Sequence, residues 1–155
     1  MSAKITLLFG VHAHQPVGNF ASVVDDAFLR CYRPFLRALY RYPEFLFSLH
    51  FSGWLFDYLT AQYPSDIKLV KEMVQRGQVE LFGGGETEPV LAVIPNRDRI
   101  AQLNSLSKKL EKKTGLSSNW CLAYGTRVGC DGSARVARLR YTLCHGRRLS
   151  LLVQR

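Results

Sequence analysis

The alternation of short apolar runs with longer segments of helical periodicity constrains this fold more than any other sequence feature. The runs are rich in β-branched and aromatic residues, which is typical of buried strands. They predict strands at Lys4–Val11, Phe45–Phe51 and Gln78–Phe82. The periodic segments predict helices at Ser22–Tyr40, Trp54–Gln62, Asp66–Arg76 and Asn96–Lys113. In the first of these, Pro34 is compatible only with a kink or a new first turn.

The predicted order, β-α-β-α-α-β-α, indicates parallel βαβ units and therefore an α/β sheet or barrel. In such folds the chemistry lies at the carboxyl ends of the strands. Polar residues follow or end each predicted strand, and these are His12, His14 and Gln15, then His50, then Gly83–Glu88. We therefore expect one functional edge built from these three places.

The net charge of +9 is unevenly distributed along the 155 residues. Residues 1–119 hold 14 basic and 11 acidic side chains, whereas residues 120–155 hold seven arginines and one aspartate. Three of the four cysteines also fall in the second segment. Because most of the charge lies in a segment of different composition, the high pI alone does not indicate a nucleic-acid partner.

Composition excludes several other classes of protein. With 47% hydrophobic residues, the chain is suited to one domain with a buried core and not to a disordered tail. It contains no apolar run near the roughly 20 residues that cross a bilayer, and no convincing signal peptide, so we expect a cytoplasmic protein. Without a Cys-x-x-Cys motif, the four cysteines indicate neither a disulfide framework nor a zinc knuckle.

His12 and His14 are two residues apart at a strand end, so both point to the same side of extended backbone. Two imidazoles there can bind substrate hydroxyls, ligate a metal or act as acid and base. A structural role is the alternative. Metal ligation is disfavoured because no third ligand has an obvious spacing.

The segment Gly83–Pro89 places Glu86 and Glu88 in a glycine-rich loop. It has neither a P-loop lysine nor the spacing of a dinucleotide fingerprint, and two acids would repel a phosphate. Carboxylates at a barrel mouth suit sugar hydroxyls or glycosidic acid/base chemistry. The alternative is an exposed turn with solvated acids.

Two further features are interpreted as structural. Trp54 follows a Ser-Gly turn, and we expect it to pack on its helix and not to form a sugar platform. Lysines 108, 109, 112 and 113 occur late in the last predicted helix. We expect them to form a solvated face favoured by the helix dipole.

Several motifs, in order, resemble glycoside hydrolase family 57, in particular its 4-α-glucanotransferase and α-amylase members. The resemblance covers residues 4–118. The motifs are Phe9–Phe20, which contains His-Ala-His-Gln-Pro, then Cys31–Leu36, Leu49–Gly53, Arg76–Glu80 and Glu88–Pro95. Where this sequence has Gly85-Glu86-Thr87, family members more often carry an aromatic residue before the Glu-Pro pair.

The resemblance implies the amino-terminal part of a (β/α)7 barrel, incomplete in this chain, that acts on α-1,4-glucans by a retaining mechanism. It implies a glutamate nucleophile at the end of the fourth strand and an aspartate acid/base from much later in the chain. The implied substrate-binding residues are His12, His14, Gln15, His50 and Glu88. Neither a cofactor nor a metal is expected, and the substrate is an α-glucan or maltooligosaccharide.

The segment 119–155 departs from the family and is expected to be irregular, with no domain of its own. The family has Trp-Leu-Thr-Glu-Arg-Val-Trp here, and that glutamate is the nucleophile. When the codons of Leu122–Gly129 are read one base later, they can encode that string, with the glutamate across Gly125 and Thr126. Codons of Gly146–Leu152 can then encode Val-Asp-Asp-Tyr-His-Phe, another family string. We therefore expect an out-of-frame tail.

The sequence thus predicts a family segment over 1–118 and a chain that is inactive and poorly stable as written. Two alternatives stay open. One is a metal-dependent carbohydrate deacetylase with His12 and His14 as ligands, against which the lack of an early Asp-Asp pair counts. The other is a small basic protein whose arginine tail binds nucleic acid, although that tail lacks interleaved aromatic residues.

Overall fold

The computed structural model describes residues 7, 9–115 and 120–121 of the chain, and these form a parallel sheet covered by helices. In chain order the strands are β1 (Gly10–Ala13), β2 (Phe47–Phe51), β3 (Val79–Gly83) and β4 (Trp120–Cys121). The helices are α1 (Ala21–Ala27), α2 (Arg33–Tyr40), α3 (Gly53–Gln62), α4 (Pro64–Gln75) and α5 (Asn96–Thr114). The α/β class and the predicted order of elements are confirmed.

Strand order in the sheet is β1-β2-β3-β4, and every neighbouring pair is parallel. The register pairs Val11 with Leu49 and Leu49 with Leu81, so one face of the sheet is apolar along all three strands. Because successive side chains alternate between faces, His12 and His50 lie on the opposite face, where the register pairs them with each other.

The core lies between the apolar face of the sheet and the helices. Its buried residues are Ala13, Val24, Phe28, Leu36, Phe47, Leu49, Phe51, Leu55, Phe56, Leu59, Ile67, Val70, Met73, Val74, Val79, Leu81, Leu106 and Leu110. No helix of the described residues is long and apolar enough to cross a membrane.

A π-helical segment, Phe28–Tyr32, separates α1 from α2. Pro34 lies in the first turn of α2, as predicted. In a continuous α-helix its ring would collide with the carbonyl of Arg30. The wider turn avoids this collision, and the backbone N–H of Arg33 donates to the carbonyl of Phe28 instead.

The first and last strands differ from the sequence prediction. The first extends to Ala13, so His12 belongs to the strand and not to the following loop, because pairing with β2 continues through Phe51. A fourth strand is present where irregular chain was expected, since Trp120 and Cys121 pair with the end of β3. Both differences arise from long-range pairing, which no local pattern reports. The remainder of the predicted tail lies outside the described residues.

Asp66 ties the start of α4 to α2 and is only 4% exposed. Its carboxylate accepts hydrogen bonds from Arg33 at 2.8 and 3.1 Å and from Arg37 at 3.1 Å. The Arg33 guanidinium also lies over the rings of Phe28 and Tyr63, about 5 Å from each centroid. One buried carboxylate therefore organises the packing of three elements.

We expect Asp66→Ala to lower the free energy of unfolding by about 2 to 3 kcal/mol, because it removes a buried acceptor of charged hydrogen bonds. The matched control is Asp26→Ala, since Asp26 is exposed and pairs with Arg30 at 3.5 Å on one helix. Its expected cost is about 0.5 kcal/mol or less. Urea unfolding followed by tryptophan fluorescence measures both, and equal losses would contradict the prediction.

Candidate active site

Three histidines and one glutamate meet at the carboxyl edge of the sheet. His12 and His50 come from neighbouring strands, His14 follows β1, and Glu88 comes from the loop after β3. The sequence placed these residues at three strand ends, and the parallel sheet brings those ends together. We call His12, His14, His50 and Glu88 the histidine–glutamate cluster.

The rings of the cluster are stacked and hydrogen-bonded. The Nδ1 atoms of His12 and His50 are 2.8 Å apart, so one must carry the proton and the other must accept it. The ring centroids of His12 and His14 are 5.4 Å apart and their planes differ by 27°. The two residues therefore lie on the same side of the chain, as the i, i+2 spacing predicts.

Glu88 joins the three imidazoles. Its Oε2 contacts Nδ1 of His14. Its Oε1 lies 3.3 Å from Nδ1 of His50 and 3.5 Å from Nε2 of His12. The residue has a φ of 54°, the left-handed region that non-glycine residues seldom occupy. The loop therefore accepts a strained conformation in order to direct this carboxylate beneath the rings.

Exposure within the cluster is graded. The side chains of His14 and His12 are 44% and 23% exposed, whereas those of Glu88 and His50 are 5% and 1% exposed. A ligand arriving from solvent thus meets His14 and His12 first. Glu88 and His50 lie behind them.

Burial favours the neutral form of the His12 and His50 imidazoles. It lowers the pKa of His50 to about 4, with further lowering by His12 and His14. It also lowers the pKa of His12, although the Glu88 carboxylate opposes that effect. At neutral pH His12 and His50 therefore offer imidazole donors and acceptors beside the Glu88 carboxylate. Such a set suits a ligand with hydroxyl groups better than an anion.

Gln15 does not join the cluster through its side chain. Its amide nitrogen donates to the hydroxyl of Tyr32 at 3.2 Å, and its amide oxygen accepts from Asn19 at 2.8 Å. Its carbonyl accepts from the indole of Trp54 at 3.0 Å. The predicted sugar contact of Gln15 therefore stays a prediction, while its observed contacts hold the loop after β1 in place.

Two residues that the sequence did not assign to the site support this loop. The Tyr32 hydroxyl, at the end of the π-helical segment, donates to the carbonyl of His14 at 2.8 Å. Trp54 is half-buried, packs edge-on against Tyr58 and donates to Gln15. Tyr32 lies within the Cys31–Leu36 motif, and Trp54 directly follows the Leu49–Gly53 motif. These positions were the only signal in the sequence that either residue has a role here.

The solvated face predicted for the late lysines is wrong for Lys109. Its side chain is 17% exposed and contacts the carboxylates of Glu86 and Asp57. Lys108, Lys112 and Lys113 are exposed as predicted. Local charge spacing on α5 cannot distinguish them, because the difference lies in which residue faces the loop after β3.

A metal could be held by part of the cluster. Ligand atoms of His12, His14 and Glu88 all lie within 4.8 Å of one another. The sequence argument against a metal was the lack of a third ligand at an obvious spacing. The fold supplies Glu88 from a distant loop, so that argument no longer holds. Two imidazoles beside a carboxylate can equally well bind a ligand with hydroxyl groups.

Comparison with known proteins gives a consistent result. A model of glycosyl hydrolase family 57 matches residues 8–123. An alpha-amylase of Pyrococcus furiosus is 44% identical over 118 residues, which are 76% of this chain and 18% of the relative. A 4-alpha-glucanotransferase of Thermococcus litoralis is 41% identical over 112 residues, 72% of this chain and 17% of the relative.

The solved crystal structure of the 4-alpha-glucanotransferase from Thermococcus litoralis is also similar. It superimposes with a TM-score of 0.69 at 39% identity, over 72% of this chain and 18% of that chain. The present chain therefore spans less than a fifth of the length of these relatives.

We expect Tyr32→Phe to lower the free energy of unfolding by about 1 kcal/mol, because the His14 carbonyl loses its donor. Amide hydrogen exchange of residues 13–15 should also accelerate. Tyr42→Phe is the control, since Tyr42 is 56% exposed, and it should change neither quantity. Unchanged exchange at residues 13–15 in Tyr32→Phe would show that the hydroxyl does not hold this loop.

Proposed function

Because the chain belongs to glycosyl hydrolase family 57, we propose that it is the amino-terminal part of a retaining enzyme acting on α-1,4-glucans. Relatives named as alpha-amylase and as 4-alpha-glucanotransferase are 44% and 41% identical to it. The proposal therefore covers hydrolysis and transfer of glucan segments alike. The substrate is an α-glucan or a maltooligosaccharide.

One observation carries the proposal to particular residues. Two imidazoles, His12 and His14, reach the surface at the carboxyl edge, with the Glu88 carboxylate directly behind them. Sugar hydroxyls both donate and accept hydrogen bonds, so they pair with such groups without a change of charge. In this role His12 and His14 contact the sugar beside the scissile bond, while Glu88 and His50 fix the orientation and tautomer of those rings.

The bond-breaking carboxylates belong to other parts of the enzyme. In a retaining mechanism one carboxylate attacks the anomeric carbon and a second protonates the leaving oxygen, after which water or another sugar resolves the covalent intermediate. We propose that the described residues supply binding and orientation at this site, and that neither carboxylate comes from the cluster.

The test is binding of maltoheptaose to the chain, followed by NMR. We expect the sugar to shift signals of His12 and His14, and His14→Ala or Glu88→Gln to weaken binding about tenfold, the effect of losing one charged hydrogen bond. Glu44→Gln is the matched control, since Glu44 is exposed on the turn before β2. Equal response to cellooligosaccharides, or no response at residues 12–14, would refute the proposal.

A second candidate is favoured by the three ligand atoms of His12, His14 and Glu88. A metal-dependent carbohydrate deacetylase would bind Zn²⁺ there and use a metal-bound water to cleave an acetamide. In the same NMR experiment, low-micromolar Zn²⁺ would perturb these residues and EDTA would reverse the effect. Metal binding with loss of the maltoheptaose response would favour this candidate over the glucan enzyme.

We also propose that the segment from residue 119 onward is translated out of frame. The compositional break and the two family strings in a single shifted frame support this. Sequencing the source DNA across codons 115–155 and several hundred bases beyond tests it. We expect Trp-Leu-Thr-Glu-Arg-Val-Trp in the shifted frame, followed by a long continuation. If no such string is encoded there, the arginine-rich segment needs a function of its own.

A further inference from the structure

The loop that carries Glu88 is attached to two helices at Glu86. The backbone N–H of Gly53, the first residue of α3, donates to the carbonyl of Glu86 at 2.8 Å. The ammonium of Lys109, on α5, contacts the Glu86 carboxylate and donates to Asp57 at 2.6 Å and to the Gly53 carbonyl at 3.2 Å. Both the main chain and the side chain of Glu86 are therefore held.

The attachment is closely packed and shielded from solvent. A Cβ on Gly53 would overlap the Glu86 carboxylate, so only glycine leaves room for it. Lys109 and Glu86 are 17% and 20% exposed. Burial opposes the charge of Lys109, but its hydrogen bonds to Asp57 and Glu86 outweigh that effect and raise its pKa.

A second contact holds the residue between the two glutamates. The backbone N–H of Thr87 donates to the side-chain oxygen of Gln102 on α5 at 2.9 Å. A turn follows, in which the N–H of Glu88 donates to the carbonyl of Gly85 at 3.2 Å. Glu88 is thus the first residue beyond two fixed points, and its carboxylate contacts His14 and His50.

We propose that Glu86 and Lys109 are positioning residues, whose ion pair against Gly53 sets the loop so that the Glu88 carboxylate stays beneath the histidines. This inference deepens the proposed function and rests on it only for the sugar-binding consequence. It assigns a role to Glu86, which lies in the Gly85-Glu86-Thr87 segment where the sequence departs from the family's aromatic pattern. The ion pair acts on the site through Glu88 and touches no substrate.

The first measurement needs no ligand. In Lys109→Met, we expect amide exchange of residues 84–88 to accelerate about tenfold and the NMR signal of the Glu88 carboxyl carbon to move. Lys109→Arg, which retains the charge, should show smaller changes in both the loop exchange and the Glu88 signal than Lys109→Met. Lys108→Met is the matched control, since Lys108 is exposed on the same helix, and it should leave both readouts unchanged.

Gly53→Ala provides a variant that removes no charge. Its methyl group displaces the Glu86 carboxylate, while alanine suits the first turn of a helix. We expect the same loop exchange and the same Glu88 signal change as in Lys109→Met. Unchanged loop exchange in both variants would overturn the proposal, whatever happens to overall stability.

The second measurement is a cycle with Glu88→Gln, using maltoheptaose as the probe. If Lys109 acts through Glu88, Lys109→Met weakens binding about tenfold in the original chain and has no further effect on Glu88→Gln. Independent, additive losses would overturn the positioning role. If the original chain does not bind maltoheptaose, the proposed function fails, and the ligand-free measurements still decide the role of Glu86 and Lys109.

Discussion

Parallel pairing between β1 and β2 is the constraint on which the site depends. The register sets Val11 beside Leu49 on the core face and His12 beside His50 on the other. A shift of β1 by one residue would turn His12 toward the apolar core and away from His50. The hydrophobic face therefore places the histidine pair, because burying Ala13 of β1 and Leu49 of β2 on one face leaves His12 and His50 on the other. The same β1–β2 pairing therefore sets both the apolar packing and the position of the two histidines.

The buried Glu88 carboxylate is the most demanding group of the site. A buried charge is costly unless it is paired or hydrogen-bonded, and the pKa of two neighbouring imidazoles is lowered by burial. Its Oε2 contacts Nδ1 of His14, which is exposed enough to meet solvent, whereas its Oε1 is buried without a hydrogen-bond partner among the described residues. The left-handed φ adds strain. Because Glu88 is buried and its backbone is strained, we infer that its carboxylate orients the histidines and does not react with substrate.

Each loop of the site is held by a residue from a different helix. Tyr32 holds the loop after β1 from the π-helical segment, and Trp54 holds it from α3. Lys109 holds the loop after β3 from α5. Positions on rigid helices thereby determine the geometry of loops that would otherwise have several conformations. The Cys31–Leu36 motif illustrates this, since Pro34 requires the irregular turn that ends at Tyr32.

The sequence by itself determined the order of elements, the parallel sheet and the edge where polar residues collect. These follow from period, from glycine and proline, and from the rule that parallel strands share one carboxyl edge. Only the tertiary structure decided that His50 is buried behind His12, that Glu88 completes a cluster, that Gln15 is occupied within its loop and that Lys109 is shielded from solvent. The reason is distance along the chain. His12 and His50 are 38 positions apart, and His14 and Glu88 are 74 positions apart. Local sequence spacing does not predict contacts over such separations.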